Sequence, residues 1–199
     1  MSRALKRALD LALAGLLLAL AAPFLALAAA AIKLSSRGPV IYRQRRVGKD
    51  GADFDLLKLR TMVSGAERMG AGLAVDEGDP RITRVGALLR RWSLDELLNL
   101  VNVVKGDMSI VGPRPTVRAQ VDQYTPRQRG RLAVEPGITG WAQVSGRAAL
   151  PWHERIELDL WYLEHRSLWL DLKILWRSVK VVLAREDTYH HGESREWPV

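Results

Sequence analysis

Asp95 and Glu96 stand side by side in the run Ser93-Leu94-Asp95-Glu96-Leu97, where a carboxylate could act as a nucleophile, a metal ligand or both. Arg90 precedes the pair, and Arg114 follows it between Pro113 and Pro115, each of which restricts the backbone beside it. Acids at a helix start facing a stiffly presented arginine suit a phosphorylated ligand and a metal. A purely structural reading fits the same residues. Ser93 and Glu96 have the S-x-x-E spacing of a capping box, and an aspartate in the first turn complements the helix dipole without doing chemistry.

The elements that must hold these residues follow from pattern. The capping box predicts a helix from Ser93, with Leu94, Leu97, Leu98 and Val101 on its buried face and Asp95, Asn99 and Asn102 on a second, polar stripe. Lys105-Gly106 ends it. Upstream, residues 40–46 read as a strand, Gly48-Lys49-Asp50-Gly51 as a hairpin turn, and residues 54–62 as the antiparallel return, with Lys58 and Arg60 on one face. Asp53-Phe54-Asp55 is a D-x-D string of the kind that holds a metal and a nucleotide in many glycosyltransferases. Neither a glycine-rich dinucleotide motif nor a strand-helix alternation accompanies it. Residues 64–79 suggest a short helix and then a loop, and residues 84–92 a helix.

Past Pro115, residues 117–124 and a segment capped by Thr125-Pro126 read as short helices, in a stretch where Arg118, Arg127, Arg129 and Arg131 are expected mostly at the surface. Residues 135–147 mix glycines with Trp141, Gln143 and Arg147, which fits either a loop closing on a base or sugar or a plain turn. Residues 151–166 form a helix with Trp152, Ile156, Leu160 and Leu163 on one face and Asp159 off it. In the last helix, 168–184, leucines alternate with Trp169, Lys173, Trp176 and Lys180, as at a lipid headgroup boundary. His190-His191 lack the further ligands that a metal would need.

Leu11 to Ile32 carries no charge and is long enough to cross a bilayer core of about 30 Å. Pro23 interrupts it and is expected to kink or break the helix. Arg3, Lys6 and Arg7 precede the segment, and Lys33, Arg37, Arg43, Arg45 and Arg46 follow it. A straight span would place one basic cluster outside, so a re-entrant helix-break-helix fits better. A cleaved signal peptide is the rival, with Ala26-Leu27-Ala28 as its cleavage region, although the apolar run is long for that role. The net charge of +8 favours an anionic partner: nucleic acid, an anionic membrane surface or a phosphorylated substrate. Seven tryptophans against two phenylalanines favour the membrane interface. With no cysteine, thiolate metal sites and cysteine nucleophiles are excluded.

Taken in order, several motifs resemble the monotopic phosphoglycosyl transferases of the bacterial sugar transferase family. They are Lys6-Arg7 with Asp10, the run from Ile32 to Val40, Lys58-Leu59-Arg60-Thr61-Met62, Asp79-Pro80-Arg81, Ser93 to Leu97, Gly106 to Pro115 and Pro136 to Trp141. The resemblance covers nearly the whole chain. It implies transfer of a phosphosugar from a UDP-sugar to polyprenyl phosphate, with release of UMP and Mg2+ beside the site. By the same resemblance Asp95 is the nucleophile that forms a covalent phosphosugar intermediate and a metal ligand, Glu96 assists it, and Lys58, Arg60, Arg90, Arg114, Arg147 and Asp159 contact substrate. The chain departs from the family pattern at Ala22-Pro23, where Ser-Pro is common, and at Leu97-Leu98-Asn99-Leu100, where Leu-Pro-Gln-Leu is common.

The expected architecture is therefore α+β and mainly helical, with a small antiparallel β-hairpin, a re-entrant membrane helix over residues 1–36, a catalytic domain over 37–185 with interfacial amphipathic helices, and a tail over 186–199. The expected setting is the cytoplasmic face of a bacterial inner membrane, with no nucleic-acid partner and possible homodimers.

Overall fold

The computed structural model describes residues 2–69, 78–146 and 150–184. Helix α1, Arg3–Ser35, begins at Ser2, whose hydroxyl accepts from the Leu5 amide, and is the one described helix long and apolar enough to cross a membrane. It runs through Pro23 as one helix with the proline inside it. Proline removes one backbone bond, and the turns on either side keep theirs.

Both ends of α1 are fixed to the rest of the chain. Near the start, Arg7 donates to the carbonyls of Val103 (2.6 Å) and Val104 (3.0 Å). Asp10 accepts from Lys6, the Ser109 hydroxyl and the Ile110 amide, and Lys6 also pairs with Asp171 at 2.9 Å. Asp10 thus ties α1 to residues 109 and 110 as well as to Lys6 of its own helix. At the other end, Ala28 and Ile32 pack with Leu59 and Leu89.

Strands β1, Ile41–Val47, and β2, Asp53–Leu59, form the expected antiparallel hairpin, with Tyr42 opposite Lys58 and Arg46 opposite Phe54. The turn holds Asp50 in the left-handed region, φ 53°. From β2 the chain passes the short 3-10 turn Ala66–Arg68 to helix α2, Arg84–Arg91, which is capped by the Thr83 hydroxyl. A 3-10 turn, Leu94–Leu98, follows, and then helix α3, Asn99–Lys105, which stops at Gly106 in the left-handed region. Asn102 is fully buried and clamps α3 to β2, accepting from the Leu57 amide and donating to the Asp55 carbonyl.

A second, parallel pair joins β3, Ser109–Val111, to β4, Gly137–Thr139. Here the glycines of residues 135–147 bring two backbones together: a Cβ on Gly137 would lie 2.1 Å from the Gly112 nitrogen, and one on Gly140 would lie 2.2 Å from the Gly112 oxygen. The segment is a strand followed by a short helix, not a plain turn. Helices α4, Arg118–Val121, and α5, Pro126–Arg129, separate these strands, α5 with a complete Thr125–Gln128 capping box. Helix α6, Trp141–Ser145, leads to α7, Trp152–His165, and α8, Leu168–Ala184.

Two helix faces differ from those expected. On α7, Asp159 lies with Ile156 and Leu160 on the buried side, drawn in by Arg131. On α8 the inward seam is Leu170, Asp171 and Ile174, so Leu168, Leu172 and Val179 are exposed with Trp169 and Trp176. The main core joins Phe54, Leu56, Val103, Met108, Tyr162 and Ile174 with Ala14 of α1. The fold is thus α+β and predominantly helical.

Candidate active site

Asp95 sits in the 3-10 turn between α2 and α3 with 9% of its surface accessible. The residue before that turn, Ser93, adopts φ 54° and ψ 25°, and its side chain makes no cap bond, so the expected capping box is absent. The reason lies in Glu96, whose carboxylate turns to cations instead of back to the Ser93 amide. It accepts from Lys58 at 2.8 Å and from Arg114 at 2.6 Å. A left-handed serine costs roughly 1–3 kcal/mol, and such outliers cluster at functional sites.

Each cation comes from a different element. Lys58 projects from β2. Arg90, at the end of α2, donates through Nε to the Thr61 hydroxyl at 2.8 Å. Gly86 lets α2 approach that point, since a Cβ there would fall 1.9 Å from the Thr61 carbonyl oxygen. Arg114 follows the β3–β4 crossing, where the Gly112 amide donates to the Thr139 carbonyl (2.9 Å) and the Gly137 amide to the Pro113 carbonyl (2.8 Å). Its own carbonyl accepts from Arg131 at 3.0 Å.

The two acids titrate apart. Burial first, and then the Glu96 charge, raise Asp95 above the ordinary aspartate range, while Lys58 and Arg90 pull it down. Burial also acts to raise Glu96, but Arg114 and Lys58 outweigh it and hold Glu96 well below the usual carboxylate range. Glu96 is therefore a fixed anion that orders two cations. Asp95, by contrast, has its charge destabilised, which is the condition of a reactive group.

Not every expected site residue joins this cluster. Arg60 is buried and turned the other way: it donates to the carbonyls of Ser36 (2.8 Å), Arg37 (2.9 Å) and Ile32, and to the Ser36 hydroxyl, closing the end of α1. Asp159, 2% accessible, pairs with Arg131, which also donates to the Tyr124 hydroxyl. Asp159 thus reaches Arg114 only through Arg131. Arg147 lies outside the described residues, as do residues 70–77 of the expected loop, the tail and His190-His191. The D-x-D acids are occupied elsewhere, Asp53 by Arg118 at 2.6 Å and Asp55 by Arg45 at 3.2 Å.

Two contributors were missed in the sequence. Arg131 belongs to a stretch whose arginines are expected mostly at the surface, yet it is 3% accessible. Arg46 belongs by position to the basic flank after α1, yet strand alternation sets Tyr42, Gln44 and Arg46 on the inward face and Arg43 and Arg45 outside. The period of two was the signal that could have separated them. Among the described residues no three metal-ligating side chains converge. Asp95 and Glu96 nevertheless fit Mg2+, which takes one or two protein carboxylates and completes its shell with phosphate oxygens and water.

Comparison with known proteins supplies the family. Residues 1–185 match the model of the bacterial sugar transferase family. An uncharacterized sugar transferase of Bacillus subtilis is 44% identical over 92% of this chain and 89% of its own length. A UDP-glucose:undecaprenyl-phosphate glucose-1-phosphate transferase of Caulobacter vibrioides is 46% identical over 92% of this chain and 72% of its own length. A UDP-N-acetylgalactosamine-undecaprenyl-phosphate N-acetylgalactosaminephosphotransferase of Aeromonas hydrophila is 43% identical over 90% of this chain but only 44% of its own length. From residues 1–185, the chain belongs to the bacterial sugar transferase family.

Proposed function

We propose that this protein moves a sugar phosphate from a nucleoside diphosphate sugar, a UDP-sugar, to polyprenyl phosphate, and that Asp95 carries the sugar phosphate between them. The observation that carries the reading is a buried, charge-destabilised Asp95 beside Lys58, Arg90 and the Glu96–Arg114 pair. An Asp95 oxygen attacks the phosphorus that bears the sugar. The bond from that phosphorus to the nucleotide's phosphate breaks, and the nucleoside monophosphate leaves with the electron pair. A phosphate oxygen of the lipid then attacks the same phosphorus, and the Asp95 carboxylate is released.

Lys58, Arg90 and Arg114 neutralise the phosphate charge that would otherwise repel a carboxylate. Glu96 keeps two of them in place before substrate arrives. Mg2+ held by Asp95, with Glu96 next to it, would supply Lewis-acid stabilisation of the diphosphate.

The position of α1 supports a membrane setting. Its 33 residues would measure about 50 Å, and its middle exposes Leu16, Leu20 and Leu27. With both ends bonded to one folded body, a re-entrant course keeps them on the same side of a bilayer. A lipid acceptor and a water-soluble donor can then meet at the inner-membrane surface on the cytoplasmic side. The family's chemistry and the +8 charge are met by anionic lipid and phosphates, without nucleic acid.

The test is intact mass. Purified protein given UDP-sugar alone should gain the mass of one sugar phosphate and release UMP, and Asp95→Asn should lose both, with turnover down by at least about 10³-fold. Release of UDP, or turnover by the variant at the wild-type rate, would overturn the assignment.

A further inference from the structure

Arg114 reaches Glu96 with a side chain that is 48% accessible, so its aim depends on how firmly its backbone is held. A proline stands on each side of it, and neither has an N–H to bond a neighbouring element. The carbonyls around it are tied to strands: that of Pro113 accepts from the Gly137 amide (2.8 Å) and that of Thr116 from the Val47 amide (2.8 Å). The Arg114 carbonyl is tied instead by a side chain, Nη2 of Arg131, at 3.0 Å.

Arg131 is itself gripped from two directions. Its Nη1 donates to the Tyr124 hydroxyl and its Nη2 to Asp159. Tyr124 packs in one buried cluster with Ile156 and Leu160, which flank Asp159 on the inner side of α7. Stability does not account for this pair. A buried ion pair improves on apolar residues of similar size only when its geometry is excellent and its remaining polar atoms are bonded, and here Arg131 Nε is buried without a partner. What the pair delivers is one N–H directed at one carbonyl, that of the arginine paired with Glu96.

We infer that Arg131 and Asp159 are positioning residues, which fix the Arg114 backbone and thereby set where the Arg114 guanidinium meets Glu96 and the diphosphate. The inference rests on the transfer proposed above, in which Arg114 neutralises phosphate charge. It takes Asp159 out of contact with substrate and places it two hydrogen bonds behind Arg114. Misplacing such a group by about 1 Å costs on the order of 10²-fold in rate. Arg114 released from Arg131 keeps its charge but loses its place.

The experiment uses the full chain in detergent. Arg131→Met combined with Asp159→Leu removes the pair without leaving a buried charge, so the thermal midpoint should stay near that of wild type. With UDP-sugar and undecaprenyl phosphate as substrates, kcat/KM per folded protein should fall by about tenfold or more. In protein that already carries Arg114→Ala, assayed at high enzyme concentration, the same double change should cost less than about twofold, because the group it misplaces is gone. Arg131→Lys keeps a cation opposite Asp159 and should fall between wild type and the double change, again only where Arg114 is present. Equal losses with and without Arg114 would overturn the inference, since the pair would then act elsewhere. Unchanged kcat/KM overturns it too, and so does a loss that merely follows a fallen midpoint, or failure of both the double change and Arg131→Lys to fold, since either makes the pair structural. Wild type that gains the sugar-phosphate adduct while the double change turns over normally would refute this inference and leave the proposed function standing. Wild type that turns over without the adduct would remove the Asp95 step, while a loss confined to protein with Arg114 would still support the positioning role. Wild type with no turnover would overturn both.

Discussion

Asp95 and Glu96 are neighbours in sequence, yet their surroundings drive them in opposite directions. Glu96 is locked as an anion by Lys58 and Arg114, whereas Asp95 is raised by burial and by the Glu96 charge. Asp95 must be ionised to attack, so the acid limb of kcat/KM should lie above the ordinary aspartate value. Glu96→Gln removes a like charge, which favours the ionised form. The limb should therefore move to lower pH in that variant even though the plateau falls, as a pH–rate profile would register. A stability consequence has its own sign. A carboxylate whose pKa rises on folding opposes folding wherever it is ionised, and this penalty grows as pH climbs from the unfolded value of 3.8 through the raised one. Asp95→Asn should thus melt higher than wild type at neutral pH, with the advantage fading as pH falls toward 3.8. A lower midpoint at neutral pH would contradict the burial cost assigned to Asp95. The identity of the acid pair was legible in its spacing, but its electrostatics were not, because Lys58 lies 38 residues from Glu96.

At the level of elements, two arginines close two helix ends. Arg7 serves the last carbonyls of α3, and Arg60 the Ile32 carbonyl of α1 with those of Ser36 and Arg37 just past its end. Cations are favourable at a helix C-terminus, and hydrogen bonds to a charged group contribute about 1.5–3 kcal/mol. Arg60→Ala should therefore lower stability in urea by roughly 2 kcal/mol while leaving KM for the sugar donor unchanged in the folded fraction. A raised KM with unchanged stability would return Arg60 to the substrate-binding set. The hairpin was readable because alternation over β1 and β2 has a strict period. The helix start at Ser93 was misread because a capping box is a local rule, and here tertiary ion pairs claim the Glu96 carboxylate. Arg131 was misread for a related reason: its partner Asp159 is brought to it by a distant helix, and no local pattern announces that meeting.

For the whole molecule the question is which side of the membrane each end of α1 occupies. Composition alone allowed a span, a re-entrant segment or a leader, since all three need an apolar run with basic flanks. The re-entrant course proposed above rests on contacts made at both ends: Lys6, Arg7 and Asp10 bind α3, β3 and α8, and Ile32 and Ser36 bind Arg60. Between these anchors Leu20 is 68% and Leu27 72% accessible, and on α8 Trp169 is 77% accessible, with Trp176 stacked under Lys180. Apolar surface of this size beside tryptophan and lysine is the composition of a lipid-facing surface, which supports the proposed membrane setting. Undocking the start of α1 would break the Asp10 bonds to Ser109 and Ile110 and the Lys6–Asp171 pair, and undocking its end would break the Arg60 bonds to Ile32 and Ser36. The chain has no cysteine, so single cysteines at Ser2 and Ser36 report cleanly. In intact cells both should resist an impermeant thiol reagent added outside and both should react once the cells are opened. Labelling of one position alone from outside would show a straight span, and would require the anchors at one end of α1 to be broken in the membrane.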